Sequence, residues 1–208
     1  MKQLLVPSLA FFSLTFGLLL GHARAQGPSS PSGPGGGQTA KAAAPNPADV
    51  NSVDAIIAAL YDVISGPAGK ERDWDRMRSL FVPGARLMPT SPVRPAGTPP
   101  DAPLTGAEGY ATHVYDVEGY VERASKFFAT QGFYEKEVAR RAESYGHIVH
   151  AWSTYESRHK PEDPKPFARG VNSIQLMNDG KRWWVVSIFW EAETPRTPLP
   201  KKYLKSAP

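Results

Sequence analysis

The chain has no cysteine, so no disulfide can staple it, no thiolate can ligate a metal, and no lipid can be attached to a cysteine at a cleavage site. An excess of one charge is lacking too. There are 24 basic and 20 acidic residues for a formal charge of +4, and losing Lys2 and Arg24 with a leader leaves 22 against 20, or +2. The two signs are interleaved, which argues against a phosphate-neutralising surface and therefore against nucleic-acid binding. No Ser-His-Asp order, Gly-rich phosphate loop or Cys/His cluster is present. This lowers the standing of hydrolase, nucleotide-using and metal chemistry, and no cofactor is expected. There is no internal repeat.

Lys2, the apolar run from Leu4 to Leu20 and Ala23-Arg24-Ala25 have the layout of a secretory signal peptide, with cleavage expected after Ala25. The run is interrupted by Pro7, Ser8, Ser13 and Gly17 and is marginal for a membrane anchor. The mature chain is thus expected to be secreted or periplasmic, with no membrane attachment after cleavage. Residues 26–48 are almost wholly Gly, Pro, Ser, Ala, Gln and Asn, a composition that reads as a disordered linker. One domain is expected over 49–194, followed by an extended tail over 195–208.

Within the domain, Ser52 can cap a helix with Val53, Ile56, Ile57, Leu60 and Ile64 on one face and Tyr61 at its edge. Asp73 can cap a short second helix with Trp74, Met77, Leu80 and Phe81 inward, and Pro83-Gly84 precedes a brief strand at Ala85–Met88. Six prolines between Pro89 and Pro103 make that stretch an exposed loop. Asp116 can cap a third helix carrying Val117, Tyr120, Val121, Ala124, Phe127 and Phe128.

Strand patterns follow at about Phe133–Tyr145 and His147–Arg158. The second alternates Ile148, His150, Trp152, Thr154, Glu156 and Arg158 with Val149, Ala151, Ser153 and Tyr155. From Phe167 to Glu191, two runs of β-branched and aromatic residues flank Asn178-Asp179-Gly180, a strong hairpin signal. Strict alternation in the last run sets Trp184, Val186, Ile188 and Trp190 against Trp183, Val185, Ser187 and Phe189, both faces apolar. Such a strand must be covered on both sides.

This order of elements, carried by residues 73–87, 132–158 and 170–190, resembles the nuclear transport factor 2-like, or cystatin-like, superfamily and in particular its secreted bacterial members of unassigned function. The resemblance implies an α+β fold in which a curved antiparallel sheet wraps around about three N-terminal helices, forming a cone with a pocket. It also implies a homodimer through the outer sheet face. Against the pattern of the ketosteroid isomerases, Tyr61 falls near the pocket tyrosine of the first helix. The positions of the general base and of the second acid fall at about Pro89 and Ser173, so that machinery is missing.

A pocket in such a cone would draw its lining from the aromatics Tyr61, Trp74, Tyr120, Phe128, Trp152 and Trp190. His113, Asn172 and Gln175 would add polar handles. Plain core packing is the competing account of the aromatics. His147 and His150 lie three apart on a strand, on opposite faces, and are poorly placed as a metal pair. The expected function is a secreted small-molecule-binding or interaction module without catalysis, its ligand small and apolar or aromatic. A lyase, isomerase or cyclase acting on a hydrophobic small molecule is the alternative.

Overall fold

A computed structural model describes residues 44–99 and 109–205. The leader expected over 1–25, residues 26–43 of the linker, residues 100–108 of the proline-rich stretch and the last three residues of the tail lie outside this range. The order of elements is α1 (Pro47–Val50), α2 (Val53–Ile64), α3 (Trp74–Leu80), β1 (Phe81–Pro92), β2 (Tyr110–Thr112), α4 (Val117–Phe128), β3 (Tyr134–Tyr145), β4 (Ile148–Arg158), β5 (Ala168–Asn178) and β6 (Trp183–Ala192). A 3-10 turn follows at Lys201–Tyr203.

The three expected caps form. The Ser52 side chain accepts from the Ala55 amide at 3.0 Å, Asp73 from Arg76 at 2.8 Å and Asp116 from Gly119 at 2.8 Å, each satisfying an otherwise orphaned N–H of its helix. Helix α1 was not anticipated: Asn46 caps it and proline occupies its first turn, so a helix starts at Pro47, inside the expected linker. The connection from α2 to α3 is closed by Arg72, a buried side chain that donates to the carbonyls of Ile64, Gly66, Pro67 and Lys70. Few arginines are buried without a carboxylate; here four carbonyl dipoles stand in for one.

The strands form one six-stranded curved, unclosed sheet in the order β2-β1-β6-β5-β4-β3. Every neighbouring pair is antiparallel except β1 and β6, which run parallel. The inner face carries Val149, Ala151 and Tyr155 of β4, Ile174 and Leu176 of β5 and Val185 of β6, all buried in one core with Ile56, Ile57 and Leu60 of α2.

Two bulges re-aim side chains. In β6, Gln175 pairs with Ser187 but Leu176 pairs with Val185, leaving Val186 as the extra residue. The strict alternation expected for this strand is therefore corrected. Val185, Ile188 and Trp190 share the inner face, while Val186 and Phe189 are exposed. In β3 the register shifts between Glu137 and Ala139, and Val138 is turned to solvent. Residues three apart, Glu137 and Arg140, then lie on one face and form an ion pair at 2.6 Å.

The tail is not merely extended. It leads to the 3-10 turn, where the Tyr203 carbonyl accepts the Thr154 hydroxyl at 2.6 Å and the Tyr203 ring lies 5.8 Å from that of Trp152. That strap explains why Thr154, on the outer face of β4, is completely buried.

Candidate functional site

Between α2, α4 and the inner face lies a cavity of about 150 Å³. Its walls are mainly apolar: Leu60, Val63 and Ile64 from α2, Phe81 and Leu87 from β1, Phe133, Ile174, Ile188 and Trp190. The polar exceptions are Tyr61, Tyr120, Glu135, Tyr155 and Asn172. A second hollow, a groove of about 480 Å³ between α2 and edge strand β3, shares Tyr61 and Glu135 with the cavity. Those two residues stand where the hollows meet.

Tyr61 ends in a hydrogen-bond chain of defined polarity. Ser153 gives its one hydroxyl proton to Glu137 at 2.5 Å, so the Ser153 oxygen receives the Tyr61 hydroxyl at 2.6 Å. Asn172 Nδ2 in turn donates to the Tyr61 oxygen at 3.0 Å. Glu137 is held by Arg140, which also reaches Asp54 at the surface. The Tyr61 hydroxyl is thus satisfied within the protein, and burial pushes its pKa above the usual phenol range.

Glu135 is different. Its Oε2 accepts the Ser157 hydroxyl at 2.7 Å, and Oε1 has no hydrogen-bond partner among the described residues. Removal from water pushes this carboxyl up to about 7, against the modest opposing pull of Ser157. The hydroxyls of Tyr120 and Tyr155 likewise have no partner among the described residues. Both phenols are raised first by burial and then by the nearby charge of Glu135. Tyr155 can sit here because Gly170 faces it: a Cβ at Gly170 would lie 2.5 Å from the Tyr155 hydroxyl and 2.3 Å from the Glu191 carbonyl.

Of the residues expected at a pocket, Tyr61, Tyr120, Asn172 and Trp190 line the cavity. Trp74 and Phe128 stack on each other with centroids 6.1 Å apart, beside the cavity and outside its lining. His113 is exposed and stacks on Tyr115. Trp152 and Gln175 are on the outer face, corrected because a strand alternates. Gln175 stands three residues from inward Asn172 and pairs with His150 and Ser187, and Trp152 lies under the strap, 39 % exposed. Neither position compared with the isomerase acids holds an acid in the cavity, since Ser173 faces outward, bonded to His150 at 2.9 Å, and Pro89 is paired in β1 beside Trp190.

The residues missed were Glu135, Tyr155, Ser153, Glu137 and Ser157. A usable signal existed: Glu135 and Glu137 repeat at the strand period, which puts two carboxylates on one face of an edge strand. Among the described residues no group of histidine and carboxylate side chains could hold a metal ion, and no helix is long and apolar enough to cross a membrane.

No family model matches the chain, and no curated protein matches it. Among solved structures, it is similar to a protein of unknown function with a cystatin-like fold from Nostoc punctiforme PCC 73102, at 12 % identity and a TM-score of 0.46 over 70 % of this chain and 90 % of that one. A nuclear transport factor 2-like protein of unknown function from Silicibacter pomeroyi DSS-3 is similar at 10 % identity and a TM-score of 0.44, over 69 % and 94 % of the two chains. A candidate dehydratase of the nuclear transport factor 2-like family from Streptomyces avermitilis is similar at 13 % identity and a TM-score of 0.43, over 70 % and 96 %. Likenesses this distant carry nothing about chemistry. In its own element order the chain is an α+β fold with helices leading into a curved, open six-stranded sheet, consistent with the nuclear transport factor 2-like, cystatin-like cone that the resemblance implied.

Proposed function

We propose that this domain is an exported binding module that holds a small, largely apolar molecule of about one ring in the inner cavity and does not transform it. The observation that carries this reading is the contrast inside the cavity. Apolar walls enclose three polar atoms, Glu135 Oε1 and the hydroxyls of Tyr120 and Tyr155, that have no protein partner among the described residues. A mainly apolar hollow with a few polar atoms left free to bond is the make-up of a ligand site. A cavity of roughly 150 Å³ is known to accept benzene when its walls are apolar. Export is supported by the leader-like first 25 residues. Pairing with a second copy is supported by exposed apolar side chains on the outer face, Ile148, Val186 and Phe189 among them. The test of the binding reading is a titration of the labelled chain with benzyl alcohol, followed by amide and side-chain resonance shifts. Shifts centred on Tyr120, Tyr155 and Ile174 support it, and shifts confined to the surface overturn it.

One observation favours the catalytic alternative. A carboxyl with a pKa of about 7 in an apolar cavity is poised as a general base for proton abstraction in an isomerase, lyase or cyclase. Turnover abolished by Glu135→Gln in a screen of hydrophobic carbonyl compounds would support it.

A further inference from the structure

We propose that the molecule held in this cavity is a small primary amine, bound as its ammonium ion against the Glu135 carboxylate; the inference rests on the binding reading above and names the chemical class of the ligand. A primary ammonium carries three N–H donors and no acceptor. The cavity offers three oxygens that the protein leaves without partners among the described residues: Glu135 Oε1, Tyr120 Oη and Tyr155 Oη. Each can accept, and one brings a full negative charge. The rings of Tyr120 and Trp190, edge to face with centroids 6.4 Å apart, supply aromatic surface of the kind that favours cations.

The charge surplus at the site points the same way. The charged groups that share the groove with Glu135 come from three elements, and nearly all are already answered by another side chain. Asp62 of α2 pairs with Arg76, Glu137 and Arg140 of β3 pair with each other, and Arg158 of β4 pairs with Glu156. Lys136 lies in the groove with its side chain on the exposed side of β3, and the remaining titratable neighbours, Tyr61, Tyr120 and Tyr155, are phenols held neutral by burial. Among the described residues that line the cavity, Glu135 is the one charged side chain, and it forms no ion pair there. An anionic ligand would meet it with repulsion, and a neutral one would leave its charge desolvated. An ammonium ion removes that penalty, and the ring or alkyl part of the amine fills the apolar end. Because Glu135 also borders the groove, the ammonium can be delivered from the solvent side.

The experiment is calorimetric titration of the full chain with benzylamine and, separately, with benzyl alcohol, which has the same size and no charge. At about pH 8 the amine should bind about tenfold or more tightly than the alcohol, the usual gain from a charge-assisted hydrogen bond. At about pH 6 its affinity should fall about tenfold, because Glu135 takes up a proton near 7 and presents no charge, while that of the alcohol stays level. Glu135→Gln keeps the shape and the Ser157 contact. It should remove both the preference for the amine over the alcohol and the pH dependence of amine binding. Equal binding of the two probes at pH 8, or an amine preference that survives in Glu135→Gln, overturns the amine assignment and leaves the pocket reading standing. Binding of neither probe overturns both.

Discussion

Ser157 donates its hydroxyl to Glu135 Oε2 at 2.7 Å, and among the described residues this is the one hydrogen bond the Glu135 carboxylate receives. It offsets only part of the cost of taking that carboxyl out of water, so the folded pKa stands near 7 rather than at the ordinary 4.5. The native state therefore holds a proton that the unfolded state has released. The stabilisation is complete below about 4.5, declines as pH rises, and is gone above about 7, where the charged form must be buried. The difference across that window is on the order of 3 kcal/mol. Chemical denaturation of Glu135→Gln should show this slope flattened, with the variant more stable than the parent at pH 8. An unchanged slope would mean that another group carries it.

Removing the hydroxyl of Tyr61 should act on the fold, not on a ligand. Tyr61→Phe takes away the acceptor of Asn172 Nδ2 and the donor to Ser153, both buried. A loss of about 1–3 kcal/mol is expected in thermal or denaturant unfolding. Affinity for benzyl alcohol should be unaltered, because the Tyr61 hydroxyl already has its partners. A variant that is as stable as the parent but binds the alcohol more weakly would show that the hydroxyl serves the ligand after all.

Gly170→Ala tests the backing of Tyr155. The added methyl would press on the Glu191 carbonyl at 2.3 Å and on the Tyr155 hydroxyl at 2.5 Å. Either β5 and β6 separate locally or the Tyr155 ring moves into the cavity. Overpacking of this kind costs about 1–3 kcal/mol. Unfolding should report that loss, and benzyl alcohol binding should weaken as the cavity narrows; normal stability and binding would show that the strands give way freely.

The C-terminal strap and the outer face can be tested together. Tyr203→Ala removes the ring beside Trp152 and keeps the backbone carbonyl that accepts the Thr154 hydroxyl. A loss of about 1–2 kcal/mol is expected from the exposed aromatic surface. Sedimentation at micromolar concentration should give twice the monomer mass for the parent, as proposed for the outer face. A clean monomer would mean that the strap is cover enough.

Local features of the chain were legible because they depend on neighbours in sequence. The caps at Ser52, Asp73 and Asp116, the inward stripe of α2 and the turn around Gly180 follow from side chains reaching their own backbone and from periodicity. The alternation of β4 was also readable, and it put Ser153 and Tyr155 on the face that proved to be buried. The four-residue α1 was not legible, since a helix that short has no period to read.

By itself, then, the sequence determined the kind of elements, their order and the α+β class, because propensity, capping and hydrophobic period are properties of short segments. Tertiary structure alone decided the site. Extra residues at Val138 and Val186 shift the parity of two strands, and only pairing with a neighbouring strand reveals a bulge. Those shifts place Glu137 beside Arg140 and carry Ile188 and Trp190 inward with Val185. The character of Glu135 was equally beyond local reading. A glutamate on an edge strand is ordinarily solvated, and what withdraws this half-buried one from much of its water is the packing of α2, α4 and the sheet, residues distant in the chain.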